Sequence, residues 1–222
     1  SYGTGGLETQ FVTALIMAAI CLISLWQKDE RAGWLIGASA VSACAVMTRM
    51  DAALLLGAFW VWVLVQSSWR RRWRQILAAG LIGLAPLAAW LVWRHAYYGA
   101  LVPNTSLVKM GGGGPTWMRG AVYLGMFYAI YGYVLAVPVC LAGIWRALRW
   151  PLAICVAAAV IVWHGYVVWV GGDFMEFRML VPSLPLAVAL IAGAVGRLGV
   201  IPRAAVVSVL IACSAAQCVT NW

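Results

Sequence analysis

The feature that most constrains this chain is a series of long apolar runs, separated by short segments that carry almost all of the charges. Hydrophobic residues make up 65% of the 222 positions and charged residues 9%, a composition that excludes an ordinary soluble domain. Most of the runs approach the ~20 residues that a helix needs to cross a bilayer. The eight candidate spans are Thr9–Trp26, Trp34–Thr48, Ala52–Ser67, Ile76–Trp93, Ala121–Trp145, Pro151–Val170, Met179–Val195 and Ala204–Val219.

The runs are continuous and do not alternate with a period of two, so they predict helices and not a barrel. The expected fold is therefore all-α: a polytopic transmembrane helical bundle of about eight spans. We expect one transmembrane domain over residues 1–222. We also expect the sequence to be a fragment of a longer protein, because it opens in a glycine-rich stretch without an initiator methionine or a leader.

The distribution of charge predicts the orientation of the bundle. Alternating spans place ten of the 15 lysines and arginines on one side, with two of the six acidic residues. Cytoplasmic loops are enriched in basic residues, so this side is predicted to be cytoplasmic. The basic excess is thus a topology signal, and nucleic-acid binding is not predicted. The acids on the extracytoplasmic side are Glu8, Asp51, Asp173 and Glu176.

The cysteines and histidines do not form a metal-ligand pattern. All six cysteines fall inside predicted spans without a CxxC pair, as expected of small buried hydrophobic residues. No cofactor is predicted, and a metal requirement stays open. His164 lies deep in a span, where it is either functional or hydrogen-bonded to a neighbouring helix.

Three extracytoplasmic segments carry the candidate chemistry. At the Thr48–Asp51 hairpin tip, Arg49 and Asp51 either line a polar cavity below the membrane surface or form a mutually neutralised pair at a tight turn. The loop from Arg94 to Arg119, rich in glycine, is either a substrate lid or a connector. The segment Gly171–Arg178 holds two carboxylates and an arginine within eight residues, and Asp173 and Arg178 either bind substrate or order their loop.

Four motifs follow one another at the ends of the predicted helices. In order, they are Gly6-Leu7-Glu8-Thr9, Thr48-Arg49-Met50-Asp51, Tyr97-Tyr98-Gly99 with Pro103-Asn104-Thr105, and Gly171-Gly172-Asp173-Phe174-Met175 before Arg178 and Pro182. Together they resemble the motifs of membrane glycosyltransferases of the GT-C type, most closely the subgroup with mycobacterial terminal arabinofuranosyltransferases. The likeness covers roughly the whole chain, and Met50 departs from it, since proline is expected there.

The resemblance implies transfer of a sugar from a polyprenyl-phosphate donor to a glycan or glycoconjugate acceptor, at the extracytoplasmic face of a bacterial inner membrane. It also implies a catalytic carboxylate in a first external loop, which we expect to precede Ser1, so this segment alone is expected to be inactive. The alternative is that Asp51, Asp173 or Glu8 supplies the base within this segment. In such an enzyme a carboxylate takes the acceptor's proton and cations stabilise the departing phosphate. The candidate residues are Asp173 and Asp51 for catalysis, and Glu8, Arg49, Arg94, Tyr98, Asn104, Lys109 and Arg178 for substrate binding.

Two other classes of protein have many spans. A transporter or flippase places its binding groups near the bilayer midplane on broken helices, whereas here the charges gather at helix ends and only His164 lies deep in a span. A non-catalytic scaffold has no need for external acids beside external bases. The sequence therefore favours the enzyme over both alternatives.

Overall fold

The computed structural model describes residues 7–66, 69–99, 116–130, 151–173 and 177–196, together with positions 204, 207, 208 and 211. No strand occurs within these ranges, and their regular structure is helical. The all-α prediction is therefore confirmed. The chain falls into two compact units, Ser1–Gly113 and Gly114–Trp222, and the single domain of the sequence analysis stays a prediction.

The first unit contains four helices in its described residues. They are α1 (Leu7–Asp29), α2 (Ala32–Thr48), α3 (Ala52–Gln66) and α4 (Trp69–Tyr98). Helix α2 packs against both α1 and α4, and α3 packs against α1 and α2. Glu30 ends α1 in the left-handed region, with φ of 57°, and its N–H donates to the Trp26 carbonyl at 2.7 Å, which is the αL form of helix termination.

The core of this unit lies along a stripe of α1. Val12, Ile16, Ile23 and Trp26 are all at most 1% exposed, and their spacing places them on one helix face. Small residues of α2 let the helices approach closely, as is usual where lipid surrounds the bundle. The Ser39 hydroxyl of α2 donates to the Ala79 carbonyl of α4 at 2.5 Å.

The second unit contains α5 (Thr116–Ile130), α6 (Pro151–Val170), a 3-10 helix (Arg178–Ser183) and α7 (Leu184–Val195). Helices α5 and α6 touch at Gly120, where a Cβ atom would overlap the backbone of Val168. The buried Trp163 indole of α6 donates to the Met179 carbonyl at 2.7 Å. This bond attaches the 3-10 helix to α6.

The helices follow the predicted apolar runs closely, and Pro151–Val170 coincides with its run. Three helical stretches are long and apolar enough to cross a membrane: Glu8–Asp29, Arg72–Tyr98 and Leu152–Val170. Helices α2 and α3 are apolar but shorter. The molecule is therefore a multi-pass membrane protein, and the count of eight spans stays a prediction. The second half of the run Ala121–Trp145 and most of the run Ala204–Val219 lie outside the described residues.

Candidate active site

The turn between α2 and α3 holds a bidentate ion pair. Arg49 Nε and Nη2 donate to Asp51 Oδ1 and Oδ2 at 3.1 and 2.5 Å. The two side chains are 15% and 14% exposed. Asp51 also precedes the first turn of α3, where the helix dipole stabilises a negative charge. Of the two alternatives for this tip, the structure contains the paired turn.

The N-terminal end of α1 reaches the same turn. Arg49 Nη1 lies 3.4 Å from the Thr9 hydroxyl, and Thr9 is buried. Glu8, one residue earlier, is exposed on the first turn of α1. The structure thus brings Glu8 to the neighbourhood of the Arg49–Asp51 pair without a direct bond between them.

Arg94 joins this cluster from α4. Its Nη1 lies 3.7 Å from the Met50 sulfur, and its guanidinium stacks over the Trp90 ring at 5.2 Å. Within residues 7–66 and 69–99, no carboxylate pairs with Arg94. Met50, which stands where the resemblance predicts proline, therefore contacts the half-buried side chain of Arg94.

Three aromatic rings follow Arg94 at the end of α4. The Trp93 and Tyr97 rings stack at 5.6 Å with an interplanar angle of 17°. Tyr98 meets the Tyr97 ring edge-on at 4.7 Å. The exposed fractions of Trp93, Tyr97 and Tyr98 are 54%, 71% and 64%. We refer to Trp93, Tyr97 and Tyr98 as the aromatic trio.

In the second unit, two glycines end α6 and place Asp173. Gly171 and Gly172 have φ of 91° and 77°, and their N–H groups donate to Val168 and Val167, the pattern of a Schellman motif. A Cβ atom at Gly172 would lie 2.6 Å from Cγ of Tyr123. Glycine is therefore required at position 172 both by the turn and by the approach to α5.

Asp173 forms an ion pair with Arg178. Arg178 Nη2 donates to Asp173 Oδ2 at 2.9 Å, and the side chains are 26% and 1% exposed. Nε of Arg178 is buried and has no hydrogen-bond partner among the described residues. The Asp173 carboxylate is thus enclosed, and one buried donor of Arg178 stays unsatisfied within the described residues.

Arg119 is a residue that the sequence analysis did not select. Its exposed guanidinium lies 3.4 Å from the position that a Cβ atom of Gly171 would occupy. It is therefore a second cation beside the Asp173 turn. The signal for it is weak in the sequence, because 52 positions separate Arg119 from Gly171 and only the packing of α5 on α6 brings them together.

His164 has a hydrogen-bond partner at each ring nitrogen. His164 Nε2 lies 2.9 Å from the Tyr128 hydroxyl of α5, and Nδ1 lies 2.7 Å from the Val160 carbonyl. The helix-to-helix hydrogen bond is thus the alternative that the structure contains for His164. No cluster of metal-ligating residues occurs in the part of the chain that the structure describes. Asn104 and Lys109, predicted to bind substrate, lie outside the described residues.

Comparison with known proteins shows which families the chain is similar to. A model of the dolichyl-phosphate-mannose-protein mannosyltransferase family matches residues 2–93. The similarity to curated proteins extends further along the chain and lies with arabinofuranosyltransferases. The chain is thus similar to GT-C glycosyltransferases of the arabinofuranosyltransferase kind, and the resemblance seen in the sequence motifs is confirmed.

Two relatives represent this similarity. The terminal beta-(1->2)-arabinofuranosyltransferase of Mycobacterium tuberculosis is 31% identical over 218 residues, which covers 82% of this chain and 34% of the relative. The terminal beta-(1->2)-arabinofuranosyltransferase of Corynebacterium glutamicum is 32% identical over 151 residues, or 60% of this chain and 21% of the relative. The chain therefore spans about a third or less of the length of these relatives. No solved structure shows a significant match to the chain.

Proposed function

We propose that the protein containing this chain transfers a sugar from a polyprenyl-phosphate donor to a glycan or glycoconjugate acceptor of the bacterial cell envelope. Transfer takes place at the extracytoplasmic face of the plasma membrane. The observation that carries the proposal is the cluster of Asp51, Arg49 and Arg94 at one end of the first unit. Its support from outside the structure is the similarity to arabinofuranosyltransferases over most of the chain.

The chemistry of transfer assigns a role to each group in the cluster. The acceptor oxygen forms a bond to the anomeric carbon, while the bond from that carbon to the donor phosphate breaks. The polyprenyl phosphate leaves with the electron pair, and a carboxylate accepts the acceptor's proton. A guanidinium stabilises the negative charge that collects on the departing phosphate.

Arg94 is the preferred phosphate ligand because it has a free guanidinium edge and no carboxylate partner in the described part of the first unit. Asp51 is the preferred proton acceptor of the two catalytic candidates, since its side chain is 14% exposed and that of Asp173 is 1% exposed. Arg49 then acts as a positioning residue that holds the Asp51 carboxylate at the turn. Glu8, Tyr98, Asn104, Lys109 and Arg178 remain proposed contacts for sugar or phosphate.

The test uses the full-length protein in detergent or in proteoliposomes, with a panel of polyprenyl-phosphate sugars that includes arabinofuranose. We expect a glycosidic product from at least one donor. Asp51→Asn should lower kcat by about 10²–10⁴, the usual contribution of a general base. Arg94→Gln should mainly weaken use of the lipid-phosphate donor. Asp29→Asn, at the opposite end of α1, is the matched control and should leave turnover unchanged.

Three outcomes would count against the proposal. Movement of a lipid or solute across the membrane without a glycosidic product would favour a transporter. A full-length protein that uses no polyprenyl-phosphate sugar would overturn the donor class. If a stably expressed Asp51→Asn variant keeps full transfer activity and Asp173→Asn loses it, the proton acceptor is Asp173 in the second unit and not Asp51.

A further inference from the structure

We propose that the aromatic trio at the end of α4 binds the sugar rings of the acceptor glycan, beside the cluster of Arg49, Asp51 and Arg94. This inference rests on the proposed function for the nature of the acceptor. It adds a binding site in which Trp93 and Tyr97 supply ring faces. The sequence motif Tyr97-Tyr98-Gly99 contains two of the three rings, and of these only Tyr98 was a candidate for substrate binding.

The geometry of the rings suits a flat, partly apolar ligand. Trp93 and Tyr97 stack with an interplanar angle of 17°, and Tyr98 stands edge-on to both, at 87° and 76°. More than half of each residue's surface is exposed. The C–H face of a sugar ring packs against such an aromatic face, while its hydroxyl groups point outward to polar partners.

The polar partners are present on the same helix face. Residues three and four positions apart on a helix are neighbours, so Arg94 borders both Tyr97 and Tyr98. The Met50 sulfur lies 3.7 Å from Arg94 Nη1, and Asp51 follows Met50 directly. A sugar ring on the trio therefore borders Arg94, and Arg94 in turn contacts the turn that carries the carboxylate proposed to accept the acceptor's proton.

The depth of the trio in the membrane favours a water-soluble ligand over a lipid tail. Twenty residues separate Arg74 from Arg94, which is about 30 Å of helix and matches the hydrocarbon thickness of a bilayer. Tyr97 and Tyr98 lie about one turn beyond Arg94. The outermost two rings thus lie at the level of the headgroups and water.

Aromatic residues also anchor helices at membrane interfaces, and the opposite end of α4 shows that arrangement. There Trp73 is 49% exposed and its ring carries the guanidinium of Arg74 at 5.4 Å. Trp93 instead stacks on another ring and directly precedes Arg94, the proposed phosphate ligand. Trp73 is therefore the matched control for a purely anchoring role.

The experiment measures steady-state transfer by the full-length protein to a short synthetic arabinofuranose oligosaccharide. Trp93→Leu and Tyr97→Leu keep an apolar side chain and remove the ring face. We expect the pair of substitutions to raise KM for the oligosaccharide about tenfold, as expected for the loss of two stacking faces. KM for the donor and kcat should change less than about twofold. Trp93→Phe with Tyr97→Phe should restore most of the acceptor binding, and Trp73→Leu should have no effect on KM.

Binding of the same oligosaccharide without donor, followed by tryptophan fluorescence, separates this inference from the proposed function. If the protein transfers sugar and the leucine variants keep the wild-type acceptor KM, the trio is an anchor only and the inference is wrong. If KM rises for the donor alone, the rings contact the lipid-linked sugar and the inference is equally wrong. If no transfer occurs but binding depends on Trp93 and Tyr97, the aromatic site stands and the proposed transfer fails. If neither transfer nor binding occurs, both are overturned.

Discussion

Two arginine–aspartate pairs among the described residues have the same chemistry but differ in how the exposure is shared between the two side chains. In the first unit, Arg49 and Asp51 are almost equally enclosed, at 15% and 14% exposure, and share two hydrogen bonds. In the second unit, the Asp173 side chain is 1% exposed, whereas Arg178 is 26% exposed and shares one described bond with it.

The difference shows that a short charged motif has no fixed role. A carboxylate that is closed off beside an arginine mainly holds that arginine in place, because an unpaired buried charge is costly. A carboxylate that keeps some exposure can also reach a substrate. The first pair therefore fits the proposed reactive end, and the second fits a support that holds Arg178 at the Asp173 turn.

The largest expected effect comes from removing the arginine of each pair. Arg178→Ala should lower the free energy of unfolding by about 3–5 kcal/mol, because it removes the cation that forms an ion pair with the enclosed Asp173 carboxylate. Arg49→Ala should cost about 1.5–3 kcal/mol, the range for hydrogen bonds to charged groups. Both values are measured by denaturant unfolding in detergent.

Arg119→Ala is the control for this comparison, since Arg119 is exposed and has no described bond, and it should change stability little. The double variant Asp173→Asn with Arg178→Gln should recover part of the loss seen in Arg178→Ala. Equal losses for Arg49→Ala and Arg178→Ala would remove the distinction between the two pairs.

A second, smaller effect tests how tightly each unit packs its helices. Gly120→Ala should destabilise by about 1–3 kcal/mol, because its Cβ atom meets the backbone of Val168 and a helix must move. Gly83→Ala in the first unit should cost less, about 1 kcal/mol, because it meets the Ser39 side chain, which can rotate at the loss of one hydrogen bond.

Gly125 and Gly80 are matched controls on the same helices, since nothing lies within 4 Å of a Cβ atom at either position. Alanine there should be neutral or stabilise by about 0.5–1 kcal/mol, as it does in a helix interior. Thermal unfolding of the four variants side by side is the measurement. Destabilisation by Gly125→Ala as large as that by Gly120→Ala would contradict the close contact at Gly120.

The smallest effect concerns the bond from Arg49 to Thr9. The separation of 3.4 Å is long for a hydrogen bond, so Thr9→Val should cost less than about 0.6 kcal/mol, the average for such bonds within membranes. Unfolding in detergent is again the readout, with Thr13→Val as the control. A loss above 2 kcal/mol would show that the Arg49–Asp51 pair depends on α1.

Much of the fold was predictable because apolar length is a local property of the sequence. The run Ala52–Ser67 corresponds to α3 at Ala52–Gln66. Within each arginine–aspartate pair, the two residues are also close in the sequence. The contact between Arg94 and Met50 spans 44 positions, and that between Tyr128 and His164 spans 36. Helices such as α6 are apolar on all sides, so their sequence does not indicate which face meets a neighbour. These long-range contacts therefore required the structure.

The α2–α3 hairpin has a consequence for the surrounding lipid. Its helices contain 17 and 15 residues, about 25 and 22 Å at 1.5 Å per residue, which is shorter than a hydrocarbon core of about 30 Å. One response of a bilayer to such a short hairpin is local thinning, which would draw headgroups and water inward toward Arg49 and Asp51. In the proposed reaction, the lipid-linked sugar would then reach this turn while its carrier stays within its own leaflet.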